Sequence, residues 1–373
     1  MEPEWGDFLT IQDAVDYAYD NDVIVVRDGT YREKVVVDRP MTIISANGPD
    51  NTIVSPEPYA KTKVPPVFTV TSDHVTISGL GIENAYDYHG IDLSGYNYCV
   101  VENNIINNTI RASSCKASGV AMESSNYTVV KNNTIYSQRY GIMVSTASPG
   151  IIECNTISSD VKYSIGAVIS SNSDNFTING NTIDMVTTSK VYALMLNTEV
   201  NDIHVEGNTF SGGIDTVYLY KAQNVTFLKN QIIGGGNYKL HMKKSNNVTV
   251  LDNEISGAER YGLYTTNCYN LDVQKNNITG TGRSALYLTY SSYNIVMNNL
   301  IDSQSSNGLF YKATPGSLNS TSPVSYTYMN ETFTGFIGNY YSTYTGLDID
   351  GDGVGDTPYI EDDMQYYHPS SPR

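Results

Sequence analysis

Five segments decide the fold: Thr216–Lys221 (TVYLYK), Lys239–Lys244 (KLHMKK), Gly262–Asn267 (GLYTTN), Ala285–Tyr290 (ALYLTY) and Gly308–Ala313 (GLFYKA). Their first residues are each 23 positions apart. Similar segments precede them, starting at Gly90, Gly119, Gly141, Gly166 and Ala193. A fixed period in this range is the signature of a solenoid, in which each repeat buries its apolar face only against its neighbours. Within a segment the apolar positions alternate, as in a strand. Leu240 and Met242 face one side, and Lys239, His241 and Lys243 are expected on the other.

Each repeat continues with a second strand and a turn that ends in asparagine: NVTFLKN to Asn230, NVTVLDN to Asn253, NLDVQKN to Asn276. Asn103, Asn133, Asn155, Asn181, Asn208 and Asn299 are the equivalent positions. Short strands with asparagine at a fixed corner predict an all-β, right-handed parallel β-helix whose stacked amides bond along the turn column. A leucine-rich solenoid needs a helix in every repeat, and no segment here has that length or period.

A solenoid must be closed at its ends. Around residues 10–19, Thr10 as N-cap and the apolar face Ile11, Ala14, Val15, Ala18 predict a short capping helix. The β-helix with this cap is expected over residues 1–312. The Tyr-, Gly- and Asp-rich stretch 313–373 is expected to form an irregular C-terminal cap.

The chain has 373 residues, a formal net charge of −17 and only 16% charged residues, with 31 tyrosines. Such an acidic balance excludes nucleic acid as a general partner, which needs a broad basic surface. No apolar run is long enough to span a bilayer, and MEPEWGDF has no signal-peptide core. The composition reads as extracellular or cell-surface, with any leader absent from this sequence. The four cysteines show no metal-ligand spacing, and no disulfide framework is expected. Asn-x-Ser/Thr recurs, but the tripeptide arises wherever turns alternate with Thr-rich strands.

The opening, with VIVVRDGTYREKVVVDRPMTIISANG after the helix, and the Asn-cornered coils resemble the pectin-lyase-like β-helix superfamily, and within it the NosD-like proteins. The tail GNYYSTYTGLDIDGDGVGDTPYIEDDMQYYHP resembles the closing segment of NosD-like repeat proteins that are abundant on archaeal cell surfaces. The resemblance implies a β-helix outside the cytoplasm, with carbohydrate binding or processing, or copper delivery to nitrous oxide reductase, as family functions.

The third column of the aligned strand is expected outward: Asp92, Ala121, Met143, Val168, Met195, Tyr218, His241, Tyr264, Tyr287, Phe310. With coils about 4.8 Å apart, Tyr218, His241, Tyr264, Tyr287 and Phe310 form a stripe of rings, flanked by Tyr220 and Lys243. Aromatic faces beside cationic groups suit a polysaccharide, and the lysines favour an acidic one. A second reading has the stripe covered by the tail or by self-association. The alternative function is a structural surface-layer, sheath or adhesin component. As an enzyme the chain would be a polysaccharide lyase with His241 or Lys243 as base, or a glycoside hydrolase, whose two acids are not evident beside the stripe. For copper, the five histidines are scattered.

The tail carries the sharpest motif. Asp348, Asp350, Asp352 and Asp356, with the carbonyl of Val354 and Gly353 between them, follow an EF-hand-type calcium loop. Position twelve is Tyr359, so the bidentate glutamate is missing, and Glu361 or Asp363 is the available replacement. Calcium in a structural role is the expected cofactor.

Overall fold

A computed structural model describes residues 8–57, 66–83, 89–107, 117–136, 139–160, 163–186, 191–234, 236–292, 294–297, 299–303, 309–312, 316–342 and 344–357. The chain forms two compact units, Met1–Met195 and Leu196–Arg373. It is an all-β parallel solenoid.

In the first unit, helix α1 spans Ile11–Tyr17, and Thr10 Oγ1 accepts the Asp13 N–H at 3.1 Å, as the sequence predicts. Glu33 accepts the N–H groups of Ile11 and Gln12, supplying partners to the helix start. Ile11, Val15 and Ala18 are buried. Three parallel sheets follow. One begins with Asp22–Val26 and Met41–Ser45, the second with Gly29–Tyr31 and Thr52–Val54, the third with Val35–Val37 and Phe68–Val70.

The second unit repeats the pattern. Its first sheet holds Asn201–Glu206, Gln223–Leu228, Asn246–Leu251 and Tyr269–Gln274. The second holds Thr209–Gly212, Gln231–Ile233, Glu254–Ser256, Asn277–Thr281 and Leu300–Ser303. The third holds Asp215–Tyr220, Tyr238–Lys243, Tyr261–Thr266, Ser284–Thr289 and Leu309–Lys312. Equivalent residues pair in register, so Val217, Leu240, Leu263 and Leu286 stack in one fully buried column. Parallel strands demand this geometry, because a crossover must return the chain before the next strand can pair.

The asparagine ladder is present, with one correction. Asn104 takes the position assigned to Asn103, which instead sits in the left-handed region at φ 58°. The slip arises because two asparagines adjoin there, and the residue before the ladder is the one that turns. In the first unit, Asn104, Asn133 and Asn155 each donate an amide N–H and a backbone N–H to the next amide oxygen, ending at Asn181. In the second, the ladder runs Asn208, Asn230, Asn253, Asn276, Asn299. It then reaches Asn339 in the tail at 2.8 Å. There Tyr340–Tyr341 pairs with Leu300–Ser303, so stacking goes on past Lys312.

In the second unit, buried small residues stand at the second position of third-sheet strands: Thr216, Gly262 and Ala285. A Cβ on Gly262 would lie 2.5 Å from Ile278 Cγ2 and 2.8 Å from the Ala285 carbonyl oxygen. In the first unit, Gly119, Gly141 and Gly166 take the equivalent strand position, where a Cβ would meet a neighbouring isoleucine and the carbonyl of the next coil. Lys239 breaks the series.

Asn253→Ala is expected to cost about 1–3 kcal/mol in denaturant unfolding, because it strands buried partners on both neighbouring coils. Asn247, on an exposed ladder with Asn224 and Asn270, should cost within about 0.5 kcal/mol when replaced by Ala. Equal costs would mean that the inner ladder does not hold the coils.

Candidate functional site

In the second unit, Tyr218, His241, Tyr264 and Tyr287 stack in register on the outer face of the third sheet. All are partly exposed. His241 meets Tyr218 and Tyr264 edge-on, at ring separations of 4.9 and 4.8 Å, and Tyr264 stacks on Tyr287 at 5.1 Å. Phe310 pairs with Tyr287 through its backbone, while its side chain lies outside the described residues. Lys243 is exposed beside Tyr220, and the Lys221 ammonium sits 5.8 Å from the centre of the Tyr220 ring.

The face is wider than the sequence reading allowed. Tyr238 and Tyr261, one residue before the aligned segments, stack on each other at 5.7 Å. Tyr238 also packs on Tyr264, and Tyr261 on Tyr287. These positions share the period of 23, so moving the alignment one residue upstream exposes the column Asp215, Tyr238, Tyr261, Ser284.

Asp215, the first member of that column, is buried, and its Oδ2 accepts a hydrogen bond from His241 Nδ1 at 2.9 Å. A carboxylate can only accept, so the pair fixes the ring with its Nε2 as the other nitrogen. Tyr287 has its phenol raised above its ordinary value by burial, and then by the neighbouring tyrosines.

Lys239 corrects the expectation that it faces outward with His241. It is fully buried in the small-residue column, with Nζ donating to Thr216 Oγ1 at 3.3 Å. Lys239 is the second residue of the strand Tyr238–Lys243 and is buried together with Leu240, so strict alternation fails at the start of the strand. Burial pushes the ammonium down to about 8, against the opposing fields of Glu259 and Asp215. In the first unit, Ala121 and Val168, also expected outward, are buried. Asp92, Met143 and Met195 are partly exposed, so the stripe there is interrupted.

The other histidines stand apart among the described residues. His74 stacks on Tyr98, His89 contacts Ser118 Oγ, and His204 contacts Glu206. Cys99, Cys154 and Cys268 are free thiols, and burial pushes Cys99 and Cys268 up to about 11.

In the tail, carboxylate oxygens of Asp348, Asp350 and Asp356 lie within 4.8 Å of one another. Asp348 accepts the Gly351 and Gly353 N–H groups, and Asp356 accepts that of Ile349. Gly351 and Gly353 adopt φ of 73° and 88°, the left-handed turn that the loop needs. Asp352 turns elsewhere: it accepts from Val354 N and from the Tyr326 hydroxyl at 3.0 Å, which helps to push that phenol up to about 12 after burial itself. Val354 is buried. Tyr359, Glu361 and Asp363 lie outside the described residues.

An unfolded lysine keeps its proton to 10.5, whereas folded Lys239 releases it near 8. Between these values the unfolded chain binds more protons, so stability rises with pH; below about 8 the buried charge is carried in full. Lys239→Met is expected to gain on the order of 3 kcal/mol at neutral pH, and the gain should vanish by about pH 10.5. Equilibrium unfolding of both proteins across this range checks it. A pH-independent difference would mean packing, not charge, sets the cost.

Among solved structures, the A-module of Azotobacter vinelandii mannuronan C-5 epimerase AlgE4 matches at 14% identity and a TM-score of 0.58, covering 82% of this chain and 94% of that one. XylC in complex with xylose matches at 12% and 0.55, covering 88% and 86%. The Streptococcus pneumoniae surface adhesin PfbA matches at 13% and 0.50, covering 89% and 95%. At these identities the likeness is one of fold. Comparison with curated proteins finds no match. The family model of the right-handed β-helix region matches residues 67–212. The model described as periplasmic copper-binding protein (NosD) matches residues 159–346, just over half of the chain. The chain therefore belongs to the NosD family of right-handed parallel β-helix proteins.

Proposed function

We propose that this protein works outside the cytoplasm and binds an acidic polysaccharide on the face formed by Tyr218, Tyr238, His241, Tyr261, Tyr264 and Tyr287. The observation that carries this is a wall of partly exposed rings with Lys243 and Lys244 exposed at its margin, in a chain of net charge −17. Rings offer contact area to the apolar faces of sugars at little entropy cost, and lysines meet the carboxylates at the rim. The names of the fold neighbours, a mannuronan epimerase, a xylose complex and a surface adhesin, support a sugar- or surface-directed role. The periplasmic description of the family supports the location.

The Asp215–His241 pair favours a second reading, in which the bound chain is also turned over with His241 as base. A copper role finds less support. The described histidines are dispersed, Met242 is buried on the inner side of the strand that bears His241, and no set of soft donors converges among the described residues.

Titration with acidic and neutral polysaccharides tests the binding reading. Lys243→Ala should weaken acidic-chain binding about two- to fivefold, and the loss should shrink in salt. Tyr264→Ala should weaken it about two- to tenfold with little salt dependence. Following unsaturated products and new reducing ends in the same samples tests turnover, which His241→Gln should abolish. Equal binding by wild type and both surface variants would leave the structural, adhesin-type role.

We further propose that calcium fixes the tail loop, held by Asp348, Asp350, Asp356 and the Val354 carbonyl, with Asp352 anchoring the loop to Tyr326. Three carboxylates within 4.8 Å repel one another unless a cation lies between them. Calcium should raise the melting midpoint, chelator should reverse the rise, and Asp348→Asn should remove most of it. A midpoint indifferent to both, with no calcium by elemental analysis, removes the metal.

A further inference from the structure

The N-terminal end of the first unit closes one sheet edge and leaves another open. In a parallel ladder, alternate residues of a strand turn their backbone groups to the coil on either side. On Val35–Val37, the first strand of the third sheet, Val36 turns its groups away from the next coil, and the Gln12 side chain meets both. Gln12 Oε1 accepts the Val36 N–H at 2.7 Å, and Nε2 donates to the Val36 carbonyl at 3.2 Å. An amide from α1 thus stands in for a missing strand. On Asp22–Val26, the first strand of the first sheet, the Val26 carbonyl accepts the Ala46 N–H of the next coil. Val23 and Val25 therefore turn their N–H and carbonyl groups to the edge, where nothing among the described residues meets them.

The same two residues expose their side chains. Val23 and Val25 are 60% and 58% exposed, whereas their register partners on the next coil, Thr42 and Ile44, are half-buried. Beside the edge, between α1 and this strand, runs a groove of about 710 Å³ whose apolar lining includes Phe8, Ile11, Ala14, Tyr17, Ile24 and Val26. A strand with free backbone groups next to an apolar groove is completed by another extended chain: main-chain hydrogen bonds fix it, and alternate side chains enter the groove. Charge selects which chain. Asp13, Asp16, Asp20, Asp22 and Asp28 are exposed on α1, in the turn after it and at the two ends of the strand. Among the described residues of this end the exposed cations are Arg27 and Arg32, and Arg32 is paired with Glu57.

We infer that Asp22–Val26 is a docking edge for a basic, extended segment of a partner protein, which adds to the first sheet as its outermost strand and sets alternate apolar side chains in the groove along α1. Two occupants drawn from this chain fit less well. A second copy would bring the same five carboxylates against themselves, and like charges oppose the contact. Residues 1–7, MEPEWGD, carry Glu2, Glu4 and Asp7, and Pro3 has no N–H to give to a ladder. Natural sheets blunt their exposed edges with proline, a bulge or a charge, and Val23, Ile24 and Val25 supply none of these in the middle of the strand. The edge shares no residue with the tyrosine wall, so it stands apart from the polysaccharide reading.

The test titrates the full chain, by fluorescence anisotropy, against three labelled synthetic peptides: valine alternating with lysine, valine alternating with glutamate, and the lysine form with its backbone nitrogens methylated. The unmodified lysine peptide should bind, the other two at least about tenfold more weakly, and its affinity should fall in salt. Val25→Pro removes an edge N–H but no bond to the next coil, and should weaken binding at least about tenfold with melting unchanged. The methylated peptide makes the same comparison without altering the protein. Asp20→Asn/Asp22→Asn should weaken binding about two- to fivefold and flatten the salt dependence. Equal binding of the lysine and glutamate peptides would overturn the charge selection, and equal binding of the methylated one would overturn strand addition. A chain that sediments as a dimer, but as a monomer with Val25→Pro, would mean that a second copy fills the edge. No peptide binding, with Val25→Pro shifting the emission of Trp5, the one tryptophan, would make residues 1–7 the occupant. Either result, or a lysine peptide that simply fails to bind, sinks the inference.

Discussion

From Asn104 to Asn181 in the first unit, and from Asn208 to Asn339 in the second, each coil is held to the next by an amide. Asparagine is well suited to the corner because its side chain carries two donors and an acceptor. In the ladder, each Nδ2 donates to the next Oδ1 and to a strand carbonyl of a preceding coil, while each Oδ1 takes a backbone N–H as well. The turn between the first and second sheets would otherwise bury backbone groups without partners. With them satisfied, the three sheets can close around a core built mainly of apolar columns. The ladder also sets the pitch. A side chain on one coil therefore meets its counterpart on the next at a fixed spacing, which is what turns single tyrosines into a wall.

That regularity makes departures informative. Lys239 occupies a column in which Gly262 has no room for a Cβ, and it carries a charge into a site where burial opposes it. The departure lies on the coil where Asp215 holds His241 and Lys243 and Lys244 begin the basic margin. A costly buried cation, a fixed imidazole and a local excess of positive charge thus share one coil of an acidic chain. Strain and buried charge collect where a surface has work beyond folding.

The two candidate sites rest on different physics. The aromatic wall depends on the repeat, since no single coil supplies more than a few rings. The aspartate loop depends on none of it. It is a local turn set by Gly351 and Gly353 and packed against the tail hairpin of Val324–Tyr328 and Glu331–Gly335, where Tyr328 fills the space beside Gly353. Asp352 has a partner outside the loop that the loop spacing alone does not reveal. The residue at that loop position finds a phenol to bind, and the hairpin that brings Tyr326 there is remote in sequence.

The period of 23, the apolar alternation and the corner asparagines determined the parallel β-helix, its core columns and the outward stripe, because each is a local pattern repeated until only one stacking satisfies it. The cap helix was legible for the same local reason, from Thr10 and its apolar face. Tertiary structure alone decided what happens at turns and strand starts. It shifted the ladder from Asn103 to Asn104 and buried Lys239 at the second position of its strand, where alternation stops. It also brought Asp215 against His241 from 26 residues away, and added Tyr238 and Tyr261 to the wall. Alternation gives the facing of residues inside a strand. At the second position of the third-sheet strands, where Lys239 and Leu240 are buried in succession, the space left by neighbouring coils, not the sequence pattern, decides which way a side chain points.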